Sequence, residues 1–164
     1  MRVILDEGEY RALWDRVYGE FRFDREQEAW LRPPLPHKKY RLPQLWTDEQ
    51  ENTVNGIFRR LCPEKMYALD WQHDCMVFSP AEEIPPGYWF HDEERNCNVY
   101  FPSYYPNGDF YFFISADWQL GLFGHPWRSE IYVMGDALIA AFDKIKDQLD
   151  ITEISLEKEN PLCE

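Results

Sequence analysis

Five consecutive residues, Phe110-Tyr111-Phe112-Phe113-Ile114, leave no side for water. Aromatic and β-branched residues favour strands. A strand sends alternate side chains to opposite sides of its sheet. This run is therefore read as a central strand, covered on both sides. Such a strand needs neighbours to pair with and further elements to seal it. The 164 residues suffice for that within one domain. A chain of this length buries enough surface to need no disulfide or metal.

The surrounding pattern places those elements. Asp6 and Glu9 have the spacing of a helix-capping box, and Tyr10, Leu13, Trp14, Val17 and Phe21 form the apolar stripe of a helix fading near Phe23. Pro33, Pro34, Pro36 and Pro43 make residues 31–46 an extended connector. Thr47 and Gln50 form a second capping box, followed by the stripe Val54, Ile57, Phe58 and Leu61 and a stop at Pro63.

From Tyr67 to Val77 the pattern turns to period two. Tyr67, Leu69, Trp71, His73, Cys75 and Val77 form the inward row of one strand. Asn98–Tyr105 reads as a strand joined to the aromatic run through Pro106-Asn107-Gly108-Asp109, a hairpin turn. Leu120–Phe123 and Glu130–Met134 are two more strands. Gly135-Asp136 opens a helix whose stripe is Leu138, Ala141, Phe142, Ile145 and Leu149. Ile151–Leu156 could add an edge strand.

The expectation is a single α+β domain over 1–164. It has a helical part at 1–65, a sheet at 66–134, a helix at 135–149 and an acidic tail at 150–164. The sheet is mostly antiparallel, with about four or five strands. Two N-terminal helices and one C-terminal helix pack on one of its faces.

Charge sharpens this division. There are 30 Asp and Glu against 17 Lys and Arg, a formal charge of -13. Residues 1–65 hold 12 of each sign, so residues 66–164 carry the whole excess. That half also holds 18 of the 28 aromatic residues, between Tyr67 and Tyr132. A strongly acidic chain is unsuited to nucleic acid, which demands clustered Lys and Arg, and to anionic membranes. His37, Lys38, Lys39 and Arg41 are the one basic cluster. They are read as a solvated linker or as a contact to the acidic half. No export signal or membrane-spanning window is seen. The scattered Cys62, Cys75, Cys97 and Cys163 are read as reduced thiols, and the location as cytoplasmic.

Familiar chemical motifs are missing: no glycine-rich phosphate loop, no G-x-S-x-G and no H-E-x-x-H occur. Three constellations remain. In Asp70-Trp71-Gln72-His73-Asp74, His73 could act as a general base or metal ligand held by a carboxylate. On a flat strand Asp70 and Asp74 point away from it, which favours a core histidine. Gly124-His125-Pro126-Trp127-Arg128, with Asp117 upstream, could line a rigid pocket or plug the core. Phe90-His91-Asp92-Glu93-Glu94 reads as a solvated acidic loop.

The D-W-Q-H segment at Asp70–His73 and the F-G-H-P-W box at Phe123–Trp127 resemble an uncharacterised bacterial family, domain-of-unknown-function family 2716. Trp14, Val17-Tyr18, Phe21-Arg22-Phe23, Pro106–Tyr111 and Val133-x-Gly135-x-x-Leu138 extend the resemblance over residues 14–138. The resemblance implies a bacterial cytosolic setting and carries no catalytic role.

These observations favour a non-catalytic, acidic protein-binding module with no cofactor and no metal. An immunity-type inhibitor of a basic toxin domain is one version. The alternative is a ligand pocket or enzyme site built from Asp70, His73, Asp117, His125, Trp127 and Arg128. A third reading is a homodimer patch made by Tyr88-Trp89-Phe90 and Tyr104-Tyr105.

Overall fold

A computed structural model describes residues 1–155. In chain order the elements are β1 (Arg2–Val3), α1 (Glu7–Gly19), β2 (His37–Arg41), α2 (Asp48–Leu61), β3 (Met66–Asp70), β4 (Met76–Phe78), β5 (Trp89–Asp92), β6 (Cys97–Tyr100), β7 (Tyr111–Ser115), β8 (Gly121–His125), β9 (Glu130–Met134), α3 (Asp136–Ile145) and β10 (Thr152–Ile154). The fold is α+β. The main sheet is antiparallel and has eight strands, in the order β1-β4-β3-β7-β8-β9-β2-β10, rather than four or five.

The aromatic run is β7, a central strand between β3 and β8, and all five of its residues are buried. Its side chains divide between two cores. Tyr111 and Phe113 point to a core closed by Val54, Ile57 and Phe58 of α2 and by Leu138 and Phe142 of α3. Phe112 and Ile114 point to a second core closed by Leu13, Trp14 and Val17 of α1 and by Phe21, Phe23, Trp30 and Leu31 after it. Helices therefore cover both faces of the sheet, not one. The physical reason is the length of β7 without a polar position: either face left open would expose several large aromatics, each worth about 2–3 kcal/mol of burial.

The capping residues act as expected. The Asp6 side chain accepts from the Glu9 amide at 2.7 Å, although Glu9 itself turns to Arg2. Thr47 and Gln50 form a complete reciprocal box.

Five expectations change. The extended connector contains β2, an interior strand paired with both β9 and β10. Pro36 and Pro43 bracket it and leave its own amides free to pair. The Tyr67–Val77 strand is a hairpin, β3 and β4, broken at 71–75. Asn98–Tyr105 is strand only as far as Tyr100, and β6 pairs with β5 in a separate two-stranded ribbon. The Pro106–Asp109 segment consequently joins no hairpin, and neither Asn107 nor Gly108 adopts positive φ. It ends a buried loop tied to α2: Glu51, 4% exposed, accepts the amides of Tyr104 and Tyr105 at 2.8 and 2.9 Å. Tyr104 and Tyr105 are buried, so they cannot form part of a dimer patch.

The acidic half is partly neutralised by the first 65 residues. Lys38 meets Asp143 and Glu153, Lys39 and Arg41 meet Glu130, Arg59 meets Glu83, and the N-terminal ammonium meets Glu82. The basic cluster is thus a contact to the acidic half rather than a solvated linker. Cys62, Cys75 and Cys97 are free thiols, and Cys163 lies outside the described residues. β10 is the edge strand anticipated within Ile151–Leu156, and the tail beyond residue 155 lies outside the described residues. Among the described residues no helix is long and apolar enough to cross a membrane.

Candidate functional site

The break between β3 and β4 creates the most unusual chemistry in the molecule. Asp70 closes β3 in the row of Met66 and Ala68, pointing to the α2 side. The chain then turns at 71–75 and brings His73 back over it. His73 Nδ1 lies 3.0 Å from Asp70 Oδ1 and 3.7 Å from Asp109 Oδ2. The three ligand-type atoms lie within 4.8 Å of one another. The imidazole is 67% exposed, while the Asp70 and Asp109 side chains are 2% and 3% exposed.

Backbone amides fix both carboxylates. Gln72 N donates to Asp109 Oδ2 at 2.8 Å and to Asp70 Oδ1 at 3.3 Å, and Phe110 N donates to Asp109 Oδ1 at 2.7 Å. Burial pushes the Asp70 carboxyl up to about 6, against the pull of His73 and with a further push from Asp109. The Asp70 carboxylate in turn raises the His73 imidazole above its ordinary value.

Beside this cluster the ribbon β5–β6 is bound on. Arg95 donates to both oxygens of Asp74 and to Asp92, joining the ribbon to the 71–75 turn. One side of the ribbon, with Phe90 and Val99, packs on the first core. The other shows Trp89, 61% exposed, tilted against Tyr100 at 5.0 Å, and His91 bonded to Asn98. Glu93 and Glu94 stand exposed at its tip. What reads in sequence as an acidic loop is the end of this hairpin.

The F-G-H-P-W box lies elsewhere. His125 continues the Phe123 row of β8 into the second core, opposite the side Asp70 takes. Its ring is boxed by Trp30 at 5.0 Å, Phe110 at 4.6 Å and Trp127 at 6.0 Å. Nδ1 of His125 is buried without a partner among the described residues, and burial pushes the imidazole down to about 4. Trp127 is 67% exposed rather than buried in the core. Arg128 donates to the carbonyls of Glu28 and Gln27 and straps the 21–31 segment down. Asp117 lies in the β7–β8 turn at the far end of the sheet, where it accepts from Ser115 at 2.6 Å.

The six residues anticipated as one pocket are thus dispersed. Asp70 and His73 meet. His125, Trp127 and Arg128 belong to the other face, and Asp117 to the other end. Asp109 and Arg95 join the site without being anticipated. Asp109 stands two positions before Tyr111, so strand parity was the available signal. Nothing local marked Arg95.

The arrangement defines an α+β protein with a carboxylate–imidazole cluster and an acidic aromatic ribbon at one end of a doubly covered sheet. The chain belongs to the family described as protein of unknown function (DUF2716), whose model matches residues 4–139. It is similar to the Uncharacterized protein YxiI of Bacillus subtilis (strain 168), at 45% identity over 125 residues, 68% of this chain and 72% of that protein. No solved structure matches it.

Proposed function

We propose that this protein is a non-catalytic, cytoplasmic protein-binding module that docks a basic partner domain, as an immunity-type inhibitor of a toxin would. The observation carrying this reading is the β5–β6 ribbon: an exposed Trp89 leans on the half-buried Tyr100, and the exposed Glu93 and Glu94 stand at the tip of the same ribbon. Trp and Tyr are the residues on which interface energy concentrates. Adjacent acidic groups speed and orient the approach of a basic surface. Glu82, Glu83, Glu130, Asp143 and Glu153 are paired with cations within the fold, whereas among the described residues no Lys or Arg pairs with Glu93 or Glu94.

The test is affinity capture from native lysate at low salt, with the intact chain and a Trp89→Ala/Glu93→Lys/Glu94→Lys variant side by side. A basic protein held by the first, released by salt and absent from the second supports the reading. Equal capture by both, or none by either, overturns it.

A further inference from the structure

We infer that Asp70, His73 and Asp109 form a binding site for one divalent transition-metal ion of the Mn2+ or Zn2+ class. The first support is the donor set. Two carboxylates and an imidazole Nδ1 converge within 4.8 Å, and such mixed oxygen–nitrogen sets suit these ions.

The second support is independent of that convergence. The Asp70 and Asp109 side chains are 2% and 3% exposed, so both carboxylates are shut away from bulk water. Burying two carboxylates is costly unless their charge is compensated. Among the described residues, no Lys or Arg forms an ion pair with Asp70 or Asp109. The nearby guanidinium of Arg95 is committed to Asp74 and Asp92. Two buried carboxylates therefore face a single neutralising group, the exposed imidazole. A divalent ion would supply the missing charge.

The outer groups also fit. The Gln72 and Phe110 amides hold the carboxylates in place, as groups behind metal ligands do. With three protein ligands and the imidazole open to solvent, coordination positions stay free for water or a further ligand. This inference goes beyond the proposed function and stands or fails separately from it.

The experiment is calorimetric titration of the untagged full chain with MnCl2 and with ZnCl2, beside His73→Ala, Asp109→Asn and the control His91→Ala. Mn2+ line broadening of the four histidine resonances is recorded in parallel. The expected result is one ion per chain, His73 broadened first, affinity lower by about tenfold or more in the two site variants, and full binding in the control. His73 is exposed, so its variant keeps the fold even if Asp109→Asn does not. The inference is overturned by no stoichiometric binding of either ion, by unchanged affinity in His73→Ala, or by loss confined to His91→Ala.

Discussion

Arg95 grips Asp74 with two nitrogens, at 2.6 and 3.2 Å, across the gap between the β5–β6 ribbon and the β3–β4 turn. A third nitrogen holds Asp92 at 2.6 Å. The two carboxylates raise the guanidinium still further above its ordinary value. This bidentate pair fixes the ribbon beside His73, because a planar guanidinium matches a carboxylate in orientation as well as charge. Arg95→Ala should cost about 1 kcal/mol of global stability, as the groups are partly exposed. Its local effect should be larger: amide exchange across 89–100 should quicken by about tenfold or more, as hydrogen-exchange mass spectrometry would show. Unchanged exchange there would refute the clamp.

Glu51 should make stability pH-dependent. Burial pushes its carboxyl up to about 7 from an ordinary 4.5, against the pull of the Tyr105 and Tyr104 amides. The folded protein thus holds this proton more tightly than the unfolded chain. The contribution is full below pH 4.5 and is lost as pH rises through about 7, on the order of 3 kcal/mol at most. Glu51→Gln should lower stability at pH 5, since one amide oxygen replaces two acceptors. It should also flatten the decline toward pH 8. Urea midpoints at several pH values provide the check.

His125 should act with the opposite sign. Its folded value, about 4, lies below the ordinary 6.5. Its contribution is present above pH 6.5 and is lost as pH falls toward 4. Phe at this position fits an aromatic box and removes the unpaired Nδ1. His125→Phe should therefore gain about 1 kcal/mol at neutral pH and more at pH 5. Thermal melts at the two pH values would show it, and a variant with an unaltered acid limb would contradict it.

Some resemblance motifs mark packing rather than chemistry. Gly135 has φ 91 and caps α3, where an added Cβ would meet the Gln119 carbonyl at 2.5 Å. At Gly124 a Cβ would meet Pro106 at 2.6 Å. Gly135→Ala should cost about 2 kcal/mol or more, since strain and collision combine. Gly124→Ala should cost less, because the Pro106 loop can shift. Chemical denaturation ranks the two.

These positions show what could be read without coordinates. Local signals translated well: the Thr47–Gln50 box, the Val54, Ile57 and Phe58 stripe of α2, Leu138 and Phe142 of α3 and the two-sided burial of β7 are present, although α3 ends at Ile145, before Leu149, and Leu61 is exposed. Long-range pairing did not. Nothing in His37–Arg41 announces that β9 and β10 flank it, because prolines report only on their own segment. The same limit hid the site. A single strand from Tyr67 to Val77 would keep His73 from Asp70, whereas the turn at 71–75 joins them. Asp109 comes from a distant loop.

The most direct test of the binding account is the dissociation constant of the complex with the purified basic partner, measured at low and at physiological salt. Trp89→Ala should weaken binding by about tenfold or more, as loss of a central aromatic does. Glu93→Lys/Glu94→Lys should slow association and reduce the salt dependence. An affinity and a salt dependence unchanged by both variants would contradict docking through the β5–β6 ribbon.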